Sequence, residues 1–263
     1  MNSRTGLRED ASDLRLAVQL ANQASKMLLE RQRTATNRSL TREQLKDEGD
    51  AQSQLLISAG LNRYRPTDAV LSEEAADSSA RLHSDRVWII DPLDGTREFA
   101  EGRPDWAVHV ALWQGSELSV GAVALPGLGV VLDSSPEVAP ATTQNGRIRI
   151  AVSRSRPPSI VGVLAESLDA ELVPMGSAGY KACAVVRGEV DAYVHAGGQY
   201  EWDSAAPVVV ARSRGLHASR IDGSPLAYNQ RDPYLPDLLI CRPDLAELLI
   251  MKLQVLSQKE LLR

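Results

Sequence analysis

An apolar run, Val87-Trp88-Ile89-Ile90, ends abruptly in Asp91-Pro92-Leu93-Asp94-Gly95-Thr96-Arg97-Glu98-Phe99. The run reads as a buried strand over 87–90, and Pro92, unable to donate to a central ladder, sets its end at Asp91. Asp91 and Asp94 then project from one tight turn, and Gly95 lets the backbone approach a ligand closely. Thr96 opens a short helix whose free amides attract an anion. Two hard oxygen donors beside an anion site point to a divalent cation and a phosphate group. A plain turn with a helix cap would use the same residues, so spacing alone leaves both readings open.

Other carboxylates fall at element ends. Glu73-Glu74 follows a strand ending at Leu71, and Asp47-Glu48-Gly49-Asp50 leads into a helix over 52–61. Asp203 stands where a helix would start, the position of an N-cap. Covalent chemistry has little support. Cys183 and Cys241 lack the Cys-x5-Arg spacing of a cysteine phosphatase, and His83, His109, His195 and His217 are too dispersed for a zinc site. His109 alternates within a strand and reads as a core or edge residue.

The elements that must carry these residues follow from periodicity. Leu14, Ala17, Val18, Ala21, Ala24 and Leu28 recur at helical spacing behind Asp13 as a cap. Residues 34–50 are polar without a period and read as a loop. Strands over 107–113, 119–125 and 130–132 form an antiparallel meander broken by Gln114-Gly115 and Pro126-Gly127. Residues 134–146, with Pro136, Pro140 and Asn145-Gly146, read as a linker between an N-terminal α+β subdomain (1–135) and a C-terminal α/β subdomain (136–263). Beyond it, strands over 148–152, 171–174, 192–195 and 238–241 alternate with helices over 160–167, 178–187 and 203–214. Leu245, Leu248, Leu249, Leu253 and Leu256 give a final helix its apolar face.

Composition sets the outer bounds. The 263 residues, 43% apolar with a single Phe, support a core built from Leu, Val and Ala. A net charge of −5 without a Lys/Arg block argues against a nucleic-acid surface. The N-terminus lacks the apolar segment of a signal peptide, and no apolar run reaches the ~20 residues that span a bilayer. Two cysteines in apolar stretches are expected to be reduced and buried, which fits a cytoplasmic protein.

Glu73-Glu74, Asp91-Pro92-Leu93-Asp94-Gly95-Thr96 and Trp202-Asp203-Ser204-Ala205-Ala206, in that order, resemble the motifs of the inositol monophosphatase superfamily. The resemblance runs from about the first helix to the end of the chain. It implies an α/β fold, an αβαβα five-layer sandwich with the site at the junction of two subdomains. It also implies a Mg²⁺-dependent, lithium-sensitive phosphomonoesterase. Arg97-Glu98-Phe99 after Gly95-Thr96, together with Ser153-Arg154-Ser155, Gly176-Ser177, Lys181 and Asp191-Ala192-Tyr193, is most similar to the 3′-phosphoadenosine 5′-phosphate phosphatases of the CysQ type. The acidic residue that the inositol branch carries shortly before Trp-Asp has His195 and Ala196 in its neighbourhood here.

What the resemblance implies for the site can be stated residue by residue. Glu73, Asp91 and the Leu93 carbonyl would hold one Mg²⁺, and Asp91, Asp94 and Asp203 a second, with a third ion or Mn²⁺ as further options. Glu74 is the alternative to Glu73. Asp50 and Thr96, with help from Glu73, would orient the attacking water, and Gly95 and Thr96 the phosphate. Arg97, Ser153, Arg154, Ser177, Lys181 and His195 would meet the substrate, with Arg154 and Lys181 on a second, non-scissile phosphate. The expected reaction is removal of the 3′-phosphate from adenosine 3′,5′-bisphosphate or its sulfated precursor, in sulfur assimilation. An inositol 1-phosphatase or fructose 1,6-bisphosphatase is the alternative. Li⁺ and Ca²⁺ are expected inhibitors. The expected partner is a small phosphorylated molecule and a second copy of the chain, with no nucleic acid and no membrane.

Overall fold

Alternation of apolar residues between two faces of each strand becomes five layers in the computed structural model, which describes residues 3–35, 39–136 and 146–260. Helices α1 (Ser3–Thr34) and α2 (Arg42–Tyr64) form the outer layer. The first sheet has the order β1 (Ala69–Ser72), β2 (Arg86–Asp94), β3 (Ala107–Gln114), β4 (Glu117–Leu125), β5 (Val130–Asp133), and a short helix α3 (Thr96–Ala100) follows β2. Only the β1–β2 pair is parallel. The middle layer is α5 (Ala178–Val186) and α6 (Glu201–Ser213). The second sheet has β6 (Arg149–Ser153) between β7 (Glu171–Met175) and β8 (Ala192–Tyr200), then β10 (Tyr234–Cys241) and β9 (His217–Ser219). Helices α4 (Ser159–Leu168) and α7 (Ala246–Glu260) close the far side.

Strands of both sheets contribute to two cores. Trp88 and Ile90 pack with Leu20, Leu28, Ile57 and Leu61 of α1 and α2. Val87 and Ile89, on the other face of β2, pack with Cys183, Ala206 and Val210 of the middle layer, which in turn meets Tyr193 and Leu238 of the second sheet. Ile150, Val194 and Leu239 bury their opposite face under Leu164, Leu249 and Leu253. The αβαβα sandwich expected from the resemblance is the architecture observed. Cys183 and Cys241 are both buried and unpaired, and burial pushes both thiols up to about 12. Among the described residues no helix is long and apolar enough to cross a membrane.

Several local expectations need correction. Helix α1 begins at Ser3, so Asp13 is interior to it. Its buried carboxylate takes Arg65 at 2.6 Å and Arg86 at 2.9 Å instead of capping a helix. The segment 42–50, expected as loop, is the start of α2. Thr41 and Gln44 form a reciprocal capping box, at 3.1 and 3.0 Å, that nucleates the helix there. Asp203 is inside the first turn of α6, not its N-cap, and accepts the Tyr200 amide at 2.6 Å. Most of the expected linker, residues 137–145, lies outside the described residues.

The first sheet and the middle layer approach closely at Gly121. A Cβ there would stand 2.4 Å from Val209 Cγ1 and 3.2 Å from the Ala206 backbone. Gly121→Ala is therefore expected to destabilise the protein by about 1–3 kcal/mol through overpacking. Urea unfolding should show a lower midpoint with an unchanged slope.

Candidate active site

Strand β2 does not stop at Pro92; it continues to Asp94 through a bulge. Asp91 faces His109 and Asp94 faces Ala107, so three steps on β2 match two on β3. In a regular strand, residues three apart point to opposite faces, and the extra residue brings both aspartates to the same side. The Asp91 carboxylate accepts the Leu93 amide at 3.0 Å, and the Pro92 carbonyl accepts the Ser53 hydroxyl at 2.7 Å. Both bonds hold the turn in shape. One oxygen each from Asp91, Asp94 and Asp203 lie within 4.8 Å of one another.

Three carboxylates this close repel, and the structure answers the repulsion unevenly. Asp94 is stabilised as an anion. It accepts the Ala178 and Gly179 amides at 3.0 and 2.6 Å and the Ser177 hydroxyl, at the N-terminus of α5. Burial opposes its ionisation, yet His109, Ser177 and Lys181 hold the carboxyl down at about 2. His109 Nδ1 lies 3.0 Å from the Trp202 carbonyl, which only accepts, so Nδ1 bears a proton. Its Nε2 is 3.3 Å from Asp94, off the hydrogen-bond direction but within ion-pair reach. The other acids carry the strain. Burial, then Glu73, Asp94 and Asp203, push the Asp91 carboxyl well up. Burial and Asp203 raise Glu73 to about 7, and burial and Asp94 raise Asp203 to about 6. Asp50 on α2 is raised to about 7 by burial and by Glu74. Asp91 Oδ2 is enclosed with no hydrogen-bond partner. An oxygen-only set with unrelieved negative charge fits a hard divalent cation such as Mg²⁺.

A cleft of about 570 Å³ opens from this cluster between the two sheets. It brings together Glu73, Asp94, Gly95, Thr96, Arg97, Ser153, Ser177, Lys181, His195 and Asp203 of the expected site residues. Asp50 stands behind the acids as their electrostatic neighbour, and the Leu93 carbonyl accepts the Thr96 hydroxyl at 3.1 Å. Arg154 does not line this cleft. Its guanidinium binds Asp105 at 2.5 Å and lies 3.9 Å from Glu98, and the same Asp105 oxygen accepts the Gly176 amide at 2.7 Å. The cleft cation of that loop is Arg156, which is exposed. Lys181 lines the cleft but is spent on structure. It is buried, donates to the Gly176 and Ser177 carbonyls and lies 5.3 Å above the Tyr193 ring. Desolvation lowers its pKa despite nearby Asp94 and Glu98. His195 Nε2 donates to the Gly198 carbonyl at 2.8 Å, which fixes its tautomer and braces the turn beside it.

Sequence reasoning missed several residues besides Arg156. His109, Asp105 and Glu201 are buried polar groups inside apolar or aromatic stretches, and Lys46 lines the cleft from α2. Glu201 accepts the Asn229 and Gln230 amides at 2.7 and 2.8 Å, and buried Arg81 holds Asn229 and Gln230 in turn. That network anchors the start of α6, hence Asp203. The Thr41–Gln44 capping box was the signal that could have placed Lys46 and Asp50 on a helix.

The model of the inositol monophosphatase family matches residues 10–258. Among curated relatives, a 3′-phosphoadenosine 5′-phosphate phosphatase of Mycobacterium tuberculosis is 56% identical over 216 residues, 78% of this chain and 80% of its own. The protein of that name from Mycobacterium leprae is 49% identical over 255 residues, 92% of this chain and 93% of its own. Among solved structures, CysQ of Bacteroides thetaiotaomicron shares the fold at a TM-score of 0.75 and 24% identity, over 88% of this chain and 97% of that one.

The raised carboxyls give a pH test. Glu73, Asp50 and Asp203 keep protons in the folded chain that the unfolded chain, with ordinary carboxyls, has released. Their contribution to stability is therefore complete below the unfolded values and lost as pH rises from about 4 to about 7. Metal-free protein is expected to melt at falling temperature across that window, and Mg²⁺ to raise the melting temperature more at the alkaline end. Calorimetry with EDTA or Mg²⁺ checks this. A Mg²⁺ shift independent of pH would contradict it.

Proposed function

Since the chain belongs to the inositol monophosphatase family, we propose that it is a Mg²⁺-dependent phosphomonoesterase that removes the 3′-phosphate of adenosine 3′,5′-bisphosphate, leaving AMP and phosphate. The sulfated precursor would be cut in the same way. One observation carries this reading: a single cleft joins the carboxylate set to exposed Arg97 and Arg156, in a chain whose similar mycobacterial relatives bear that substrate in their name.

Asp91, Asp94, Asp203, Glu73 and the Leu93 carbonyl are the groups that would hold Mg²⁺, two ions and with a third or Mn²⁺ as variants. When bound, Mg²⁺ supplies charge neutralisation for the phosphoryl oxygens and activation of the attacking water. Asp50, its carboxyl raised to about 7, is suited to accept a proton from that water near neutrality. Thr96 orients it, and the backbone of Gly95 and Thr96 faces the phosphate that leaves. Gly95 adopts φ +90°, where a side chain would be strained, and a Cβ would stand 3.0 Å from Ser177. Ser153, Arg97 and Arg156 then meet the 5′-phosphate. Residues 1–135 would act as the subdomain bringing the catalytic loop and 136–263 as the one bringing Asp203 and substrate selection. A cytoplasmic homodimer, inhibited by Li⁺ and Ca²⁺, completes the proposal.

Phosphate release from adenosine 3′,5′-bisphosphate, inositol 1-phosphate and fructose 1,6-bisphosphate tests it, with the first expected to lead in kcat/KM. Preference for inositol 1-phosphate would overturn the substrate assignment. Asp94→Asn removes the charge and turns an amide donor toward the donors of α5, so activity is expected to fall on the order of a hundredfold and the melting temperature to drop with it.

The two arginines should separate. Arg156→Ala is expected to cost about 1.5–3 kcal/mol on the bisphosphate and far less on adenosine 3′-monophosphate, which lacks the 5′-phosphate. Arg154→Ala removes the partner of Asp105 and so should lower both substrates alike. Steady-state kinetics on the two substrates distinguishes these outcomes.

A further inference from the structure

At the corner where β8 turns into α6, the chain reads His195-Ala196-Gly197-Gly198-Gln199-Tyr200-Glu201-Trp202. Gln199 lines the cleft and is only 6% exposed. Both ends of its carboxamide, Oε1 and Nε2, are enclosed without a hydrogen-bond partner. A donor and an acceptor buried together and unpaired are costly to fold, and native interiors rarely keep them without a use. The surroundings allow the carboxamide to be presented to the cleft. Gly197 and Gly198 hold φ of +120° and +89°, and the ladder to β10 slips between Leu235 and Asp237, next to the Gln199–Leu235 pair. The terminal torsion of a glutamine is broad and turns at little cost.

Beside Gln199, the Tyr200 and Trp202 rings stack at 4.8 Å and 10° and both line the cleft. A flat heterocycle can extend that stack. A carboxamide, with one donor and one acceptor side by side, pairs with an edge that offers the complement. A 6-aminopurine does so on its N6/N7 edge, whereas a 6-oxopurine presents two acceptors, O6 and N7, on that edge.

We propose that Gln199 is the base-reading residue of this cleft and selects a 6-aminopurine, seated on Tyr200 and Trp202, over other bases. This rests on the nucleotidase reading given above. The carboxylates that line the same cleft then receive the 3′-phosphate.

The test compares wild type with Gln199→Met, which keeps the length and removes the polar head. The substrates are the 3′,5′-bisphosphates of adenosine and inosine and the abasic ribose 3,5-bisphosphate. Wild type is expected to favour adenosine over inosine by at least roughly tenfold in kcat/KM, and Gln199→Met to abolish that preference. Turnover of the abasic substrate should stay within about twofold, since nothing there pairs with the carboxamide. Because the variant relieves an unpaired donor and acceptor, it should melt at or above the wild-type temperature. A preserved adenosine preference, an equal loss on the abasic substrate, or a lowered melting temperature would each overturn the inference while leaving the nucleotidase reading intact. Failure of wild type to cut any nucleotide would overturn that reading, and this inference with it.

Discussion

Crowding of like charge governs this molecule. Asp91, Asp94 and Asp203 converge within 4.8 Å, and Glu73 and Asp50 add to the same field. Carboxylates taken out of water are costly to ionise, and neighbours of the same sign add to that cost. Asp94 is the most fully compensated from within the protein, by the N-terminus of α5 and by His109, while Asp91 and Asp203 accept one amide each. The remainder is a standing demand for a cation. A fold that keeps such a cluster gives up stability at the site and must recover it in the three cores around it.

The Asp94–α5 contact also joins the two sheets. Asp94 leaves β2 of the first sheet, while Ser177 and α5 are fed by β7 of the second. Asp105 repeats the connection nearby by taking both Arg154 and the Gly176 amide. Gly176 has no room for a side chain, since a Cβ would stand 2.3 Å from Glu98. The turn before α5 is thus clamped from three directions, and Ser177 holds a left-handed φ of 47° within it. Strain in a residue that caps a buried carboxylate is the kind that surrounding structure must over-determine.

Much of this was legible from residue patterns. The bulge residues Asp91 and Asp94 and the acidic pair at Glu73 announced themselves as charges ending apolar runs, and Asp203 as an acid where a helix would start. Periodicity located most strands and helices. What escaped were residues whose meaning depends on tertiary partners. Arg154 beside two serines looks like a phosphate ligand until Asp105, forty-nine positions away, is seen to occupy it. Lys181 looks like a cleft cation until its ammonium is found on two backbone carbonyls. His109 looks like a core residue and is one, yet its position opposite the bulge makes it the neighbour of Asp94. Pro92 was expected to end β2 because it cannot donate; the bulge places it where no donor is required.

The site divides by rigidity. The acids sit on elements pinned by buried networks: Trp88 and Arg86 both bind Asp68 behind β2, and Glu201 binds the chain at Asn229 and Gln230 behind α6. The opposite wall is made of short turns, with Arg156 exposed on one and Gly197 on another with open space where a side chain would be. Substitution in the first set disturbs the cores, whereas substitution in the second changes only what the cleft accepts. A fold partitioned this way can exchange substrates without rebuilding its chemistry. The layers tolerate such exchange because they are specified by pattern and packing volume more than by particular residues.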